Sequence, residues 1–173
     1  HHPNQVSDGV TNYESQGLAY SNDDGRTWTK YEFNPVLPNN GRKDFRDPKV
    51  FWHPPTQKWV MILAAGDHVE LYGSYDLIEW GFLSQFGHMD GSHEGVWECP
   101  DLFPLVVEES QQEKWVMIVS TGAGDAMGSA TQYFVGDFDG KAFSTKQNYK
   151  EPVYLDHGKD FYAAVSYNNV PDG

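Results

Sequence analysis

One stretch of this sequence occurs twice, and that repeat limits the folds open to it. Asp47-Pro48-Lys49-Val50-Phe51 is followed by Gln57-Lys58-Trp59-Val60-Met61-Ile62-Leu63. Later, Cys99-Pro100-Asp101-Leu102-Phe103 is followed by Glu113-Lys114-Trp115-Val116-Met117-Ile118-Val119. The prolines are 52 positions apart and the Lys-Trp pairs 56. An Asp-containing hairpin leads to an aromatic three times, at Trp28, Trp80 and Phe143. A period near fifty residues, built from short strands, is what β-propeller blades give. One four-stranded blade cannot bury both of its faces alone, so neighbouring blades must stack on it. Three hairpin ends imply about three blades, some incomplete, whereas propellers close with about 4–8. Residues 1–173 therefore read as a partial β-propeller, all-β, with antiparallel four-stranded sheets and no internal domain boundary. The segment is expected to belong to a longer protein.

The local pattern agrees. Helical periodicity is nearly absent, and the apolar stretches are short, β-branched or aromatic, and bounded by Gly, Pro, Asn and Asp. Strands are expected at 17–21, 28–32, 49–53, 59–65, 70–74, 101–107, 115–120 and 132–137. Ser21-Asn22-Asp23-Asp24-Gly25-Arg26-Thr27-Trp28 fits the pattern S-x-D-x-G-x-T-W, an Asp-box. Asp23 is expected to cap the turn and Trp28 to pack between sheets, so the box marks fold and not function.

Composition narrows the function. Twelve Lys+Arg against 25 Asp+Glu leave a net charge of −13, which opposes binding to nucleic acid or to an anionic membrane surface. Aromatics at 15% suit sugar rings, whose C–H faces stack on Trp and Tyr. Cys99 is the one cysteine, so no internal disulfide forms. His88 and His93 lie close in sequence without a third ligand at metal spacing, and no metal or other cofactor is expected.

Arg46-Asp47-Pro48 and Trp97-Glu98-Cys99-Pro100 occupy the same place in successive repeats, at the start of a strand. In a propeller the innermost strand lines the central channel, so both carboxylates would face one funnel. Paired carboxylates beside a sugar oxygen are the apparatus of glycoside hydrolysis, and one of the two has to hold a proton. A local ion pair and a strand cap are the bland alternatives.

Phe45-Arg46-Asp47-Pro48-Lys49-Val50-Phe51-Trp52-His53 and Trp97-Glu98-Cys99-Pro100-Asp101-Leu102-Phe103 resemble the Arg-Asp-Pro and Glu-Cys motifs of glycoside hydrolase family 32, the invertases, inulinases and levanases. The segments 128–136 and 156–164 resemble further stretches of that family, in the same order. The resemblance implies a five-bladed propeller followed by a β-sandwich, and a retaining mechanism on inulin, levan or sucrose. Glu98 would be the general acid/base and Asp47 the transition-state stabiliser. Arg46 would hold the sugar and keep Asp47 ionised, and Cys99 would tune the acid. Asp156 and Lys159 would belong to the substrate pocket. The family's nucleophile, an Asp in Asn-Asp-Pro, has no counterpart in these 173 residues. The chain by itself is therefore expected to be inactive. A secreted or periplasmic location follows from the resemblance, since polymeric fructans do not enter cells intact. Two other readings stand beside this one. The first is a non-catalytic sugar-binding propeller. The second is a sialidase-like Asp-box enzyme, which needs an arginine cluster that Arg26, Arg42 and Arg46 supply poorly.

Overall fold

The computed structural model describes residues 14–125 and 128–167. A two-stranded hairpin, β1 (Ala19–Tyr20) with β2 (Thr29–Lys30), comes first. A four-stranded antiparallel sheet follows, in the order β3 (Arg46–His53), β4 (Lys58–Ala64), β5 (Val69–Ser74), β6 (Gly81–Phe86). The second sheet has the same order, with β7 (Trp97–Val106), β8 (Glu113–Asp125), β9 (Gly128–Phe138) and β10 (Phe143–Ser144). Two whole blades and the hairpin of a third make up the expected number.

β4 shows why the blades must stack. It reads as an unbroken apolar run, and Val60 through Ala64 are all buried. Alternate side chains leave opposite faces of a strand. Val60 and Ile62 join Phe51, Leu71, Trp97, Leu102 and Phe134 in a core that includes side chains of the second sheet. Met61 and Leu63 join Leu37, Phe45 and Tyr72 in a core on the other face, towards the preceding part of the chain. A strand buried on both faces has no polar side to alternate with.

The Asp-box turns form as expected. Asp23 accepts hydrogen bonds from the Thr27 N–H and hydroxyl, both at 2.8 Å. Asp76 and Asp139 each accept two backbone N–H groups in the equivalent hairpins. Trp28 departs from expectation. It is 65% exposed and, among the described residues, packs between no sheets; its indole N–H donates to the Gly25 carbonyl at 3.0 Å. Phe143 does pack in the core, and Trp80 leans on the other cluster. Strands β6 and β10 were not legible in the sequence. β6 is half-exposed with no apolar alternation, and β10 is two residues long.

One glycine fixes the approach to the site. Gly87 holds φ at +115°, and a Cβ there would lie 2.3 Å from the Trp97 ring. Trp97 is fully buried and stands next to Glu98. Gly87→Ala is expected to cost about 1–3 kcal/mol through overpacking, with positive-φ strain added. Urea unfolding would show this as a lower midpoint at unchanged m; an unmoved midpoint would mean that Trp97 has room to yield.

Candidate active site

The repeat offset reappears as a set of contacts. β3 and β7 are the first strands of their sheets, and residues 52 apart hydrogen-bond to one another three times. The Arg46 guanidinium donates to Glu98 Oε1 at 2.9 and 3.3 Å. The Cys99 N–H donates to Asp47 Oδ2 at 3.0 Å. Lys49 Nζ donates to Asp101 Oδ2 at 3.2 Å. Asp101 is fully buried, and it also accepts the N–H groups of Leu102 and Ser166 at 2.8 and 2.6 Å. That satisfied ionic link clamps the two strands and the stretch around Ser166 together.

Both strands carry a bulge at the same point. The register slips between Arg46 and Lys49 in one sheet and between Glu98 and Asp101 in the other. Asp47 and Cys99 sit in the left-handed region, at φ of 58° and 47°. Bulges re-aim side chains, and such strained positions gather at functional sites. The carboxylates are one position out of the repeat's register. Asp47 is equivalent to Cys99, and Glu98 to Arg46.

The geometry gives Arg46 partners other than its sequence neighbour. Arg46 does not hydrogen-bond Asp47. Its guanidinium reaches Glu98, Asp44 at 2.7 Å and Glu14 at 3.3 Å. The bulge turns Asp47 towards the backbone of β7 instead. Burial alone would lower the Arg46 pKa, but hydrogen bonds to Asp44 and Glu98 and the charge of Glu14 outweigh it and raise the value. Arg46 is a fixed cation shared among carboxylates.

Glu98 is held on its other side by a residue that sequence reasoning passed over. The Tyr162 hydroxyl donates to Glu98 Oε2. Burial and that hydrogen bond push the Tyr162 pKa up, so its proton stays. The strand-less stretch bearing Tyr162 hangs on β9 through Tyr133 N–H to the Val153 carbonyl, 3.0 Å, and Leu155 N–H to the Thr131 carbonyl, 2.8 Å. The Ala163 N–H then bonds the Ser120 hydroxyl at 3.0 Å. The available signal was Tyr162's position inside Asp160-Phe161-Tyr162-Ala163-Ala164. Asp156 and Lys159, on the same stretch, are exposed. Asp156 accepts its own loop's Gly158 N–H at 2.5 Å. Among the described residues, no hydrogen bond ties either to Glu98 or Asp47. A groove of about 950 Å³ opens at the far end of β3 and β7, around Trp52, Pro54 and Leu105. It shares no residue with the Arg46–Glu98 cluster.

Cys99 lies half-buried between these carboxylates, its Sγ 3.7 Å from Asp47 Oδ2. Burial first, then the charges of Asp47 and Glu98, push its pKa up to about 11. The thiol stays protonated at neutral pH and donates to Asp47. Alkylation by iodoacetamide is expected to be slow at pH 8 and to speed up about tenfold per pH unit towards 11. Rapid modification at pH 7 would show a thiolate that this geometry does not allow.

Residues 2–173 match the Glycosyl hydrolases family 32 N-terminal domain. The chain belongs to glycosyl hydrolase family 32. Within that family it is 56% identical, over 161 residues, to a levanase of Bacillus subtilis (strain 168), covering 92% of this chain and 24% of that protein. It is 41% identical over 174 residues to an extracellular exo-inulinase of Aspergillus niger, covering 91% of this chain and 32% of the relative. In structure it is similar to a fructofuranosidase from Schwanniomyces occidentalis complexed with fructose, with a TM-score of 0.85 and 38% identity, over 95% of this chain and 32% of that one. The family-32 chain thus spans about a quarter to a third of the length of these relatives. Its sheets are part of the family's five-bladed propeller. Membership sets aside the sialidase-like alternative. The arginines agree, since Arg42 pairs with Glu70 and Arg46 with carboxylates.

Proposed function

We propose that this chain carries the acid/base half of a retaining β-fructosidase site. The supporting observation is the pairing of Glu98 and Asp47 on twin bulges. Arg46 and Tyr162 grip Glu98, and the Cys99 backbone grips Asp47. A carboxyl held from both sides keeps one rotamer, as proton transfer to a positioned oxygen requires.

In the first step a nucleophilic carboxylate bonds to the anomeric carbon, the glycosidic C–O bond breaks, and the leaving oxygen takes the Glu98 proton. In the second, Glu98 takes a proton from water, whose oxygen replaces the nucleophile at that carbon. Asp47 hydrogen-bonds fructose hydroxyls and offsets the positive charge that develops on the ring. Asp156 and Lys159 contribute at the rim of the pocket. The nucleophile comes from outside these 173 residues, which hold no Asn-Asp-Pro. The chain works with the remainder of a propeller and a β-sandwich. Its substrates are levan, inulin or sucrose, and its location is extracellular or periplasmic; one relative is an extracellular exo-inulinase.

A chimera tests this. With this chain in place of the matching segment of the B. subtilis levanase, fructose release from levan is expected. The 173-residue chain alone is expected to release none. Hydrolysis by the isolated chain, or a folded chimera without any, would overturn the reading.

A further inference from the structure

The fold assembles a set of donors that sequence spacing did not show. The β4–β5 hairpin turn carries Asp67 and His68, and the connection after β6 carries His88. His68 Nδ1 lies 3.0 Å from Asp67 Oδ1, and His88 Nδ1 lies 3.7 Å from the same oxygen. One donor atom from each residue falls within 4.8 Å of the others. The two imidazoles lie face to face, centroids 4.0 Å apart. Tetrahedral zinc, with bonds of about 2.0–2.1 Å, puts its ligand atoms about 3.3–3.4 Å apart. The two measured separations bracket that value.

We propose that Asp67, His68 and His88 form a binding site for a divalent transition-metal ion of the zinc class, at one end of the first sheet, β3 to β6, next to the sheet that carries Glu98. A second observation points the same way. His68 Nε2 faces Glu70 Oε1 at 3.6 Å, and Glu70 is buried. Glu70 is itself fixed by Arg42 Nε at 2.8 Å and by the Tyr72 hydroxyl. A carboxylate on the far ring nitrogen is how proteins orient a ligating histidine and leave its other nitrogen free for the metal. Two nitrogens and one carboxylate oxygen suit zinc, whereas magnesium and calcium prefer all-oxygen shells. Asp67 and His88 are partly exposed, so an ion has access, and water takes the fourth position.

The site has a place in the architecture. The Trp97 N–H donates to the Gly66 carbonyl at 2.6 Å, which ties the turn to the residue before Glu98. The connection bearing His88 is pinned to the second sheet by Gly91 N–H to the Tyr149 carbonyl, 2.7 Å, and Ser92 N–H to Gln132 Oε1, 2.8 Å. A bound ion would lock the first sheet's turn to that connection.

Calorimetric titration of Zn²⁺ into the full chain tests the site, with Mg²⁺ as control and with His88→Ala and Asp67→Asn as variants. The same titration in the levanase chimera, whose levan hydrolysis certifies its fold, gives a second reading. The expected result is one saturable equivalent of Zn²⁺, no Mg²⁺ binding, and affinity at least tenfold weaker in each variant. The variants also separate this site from the His1-His2 pair. Absence of saturable Zn²⁺ binding in the active chimera, or binding that survives both substitutions, would overturn the proposal.

Discussion

In the levanase chimera, Glu98→Gln is expected to lower kcat by about 10²- to 10⁴-fold, the usual contribution of a positioned proton donor. The amide keeps the shape of the carboxyl, and its oxygen still accepts from Arg46. What it lacks is a proton to give and a basic oxygen to take one back. The loss should fall on kcat with little change in KM, because ground-state contacts survive. It should shrink for a substrate whose leaving group departs without protonation. Initial rates of fructose release from levan and sucrose measure this directly. A kcat within a fewfold of the unmodified chimera would remove Glu98 from the acid/base role.

Asp47→Asn is expected to cost about 10²- to 10³-fold in kcat, the scale seen when one preorganised stabilising group is removed. This substitution is structurally gentle. Asp47 holds φ at 58°, a region that Asn tolerates better than other side chains. The Asn oxygen still accepts the Cys99 N–H. The loss is then one of charge opposite the developing oxocarbenium ion, and the interaction matters most in the transition state. A change confined to KM would instead describe a residue that only binds sugar in the ground state.

The two substitutions bear on how far the site was legible in the sequence. Residues separated by the repeat offset of 52 are the ones that touch across the blades, at Arg46–Glu98, Asp47–Cys99 and Lys49–Asp101. The repeat therefore carried both the architecture and the meeting of the two motifs. It did not carry the bulges. A bulge changes which way each residue points, and so the adjacency of Arg46 and Asp47 in the sequence does not show that the guanidinium reaches Glu98. Tyr162 was hidden for another reason. It meets Glu98 across 64 positions from a stretch without regular structure, where no periodicity fixes direction. His68 and His88 come together because a hairpin turn and an inter-sheet connection lie at one end of the sheet. Strand β6 escaped because an outer strand with half-exposed side chains has no apolar pattern to read. Trp28 shows the reverse error, since a motif fixed its hairpin without fixing what the indole would cover.

Azide rescue tests the central claim about Glu98 most directly. A chimera carrying Glu98→Ala has a vacancy where the acid/base carboxyl stood. With an activated aryl β-fructoside as substrate, departure needs no proton, and the second step becomes limiting. Small anionic azide is expected to enter the vacancy, raise turnover at least tenfold and yield fructosyl azide of retained β-configuration. If Glu98→Ala leaves turnover intact, or azide gives neither acceleration nor a β-azide product, the acid/base residue of this site lies elsewhere.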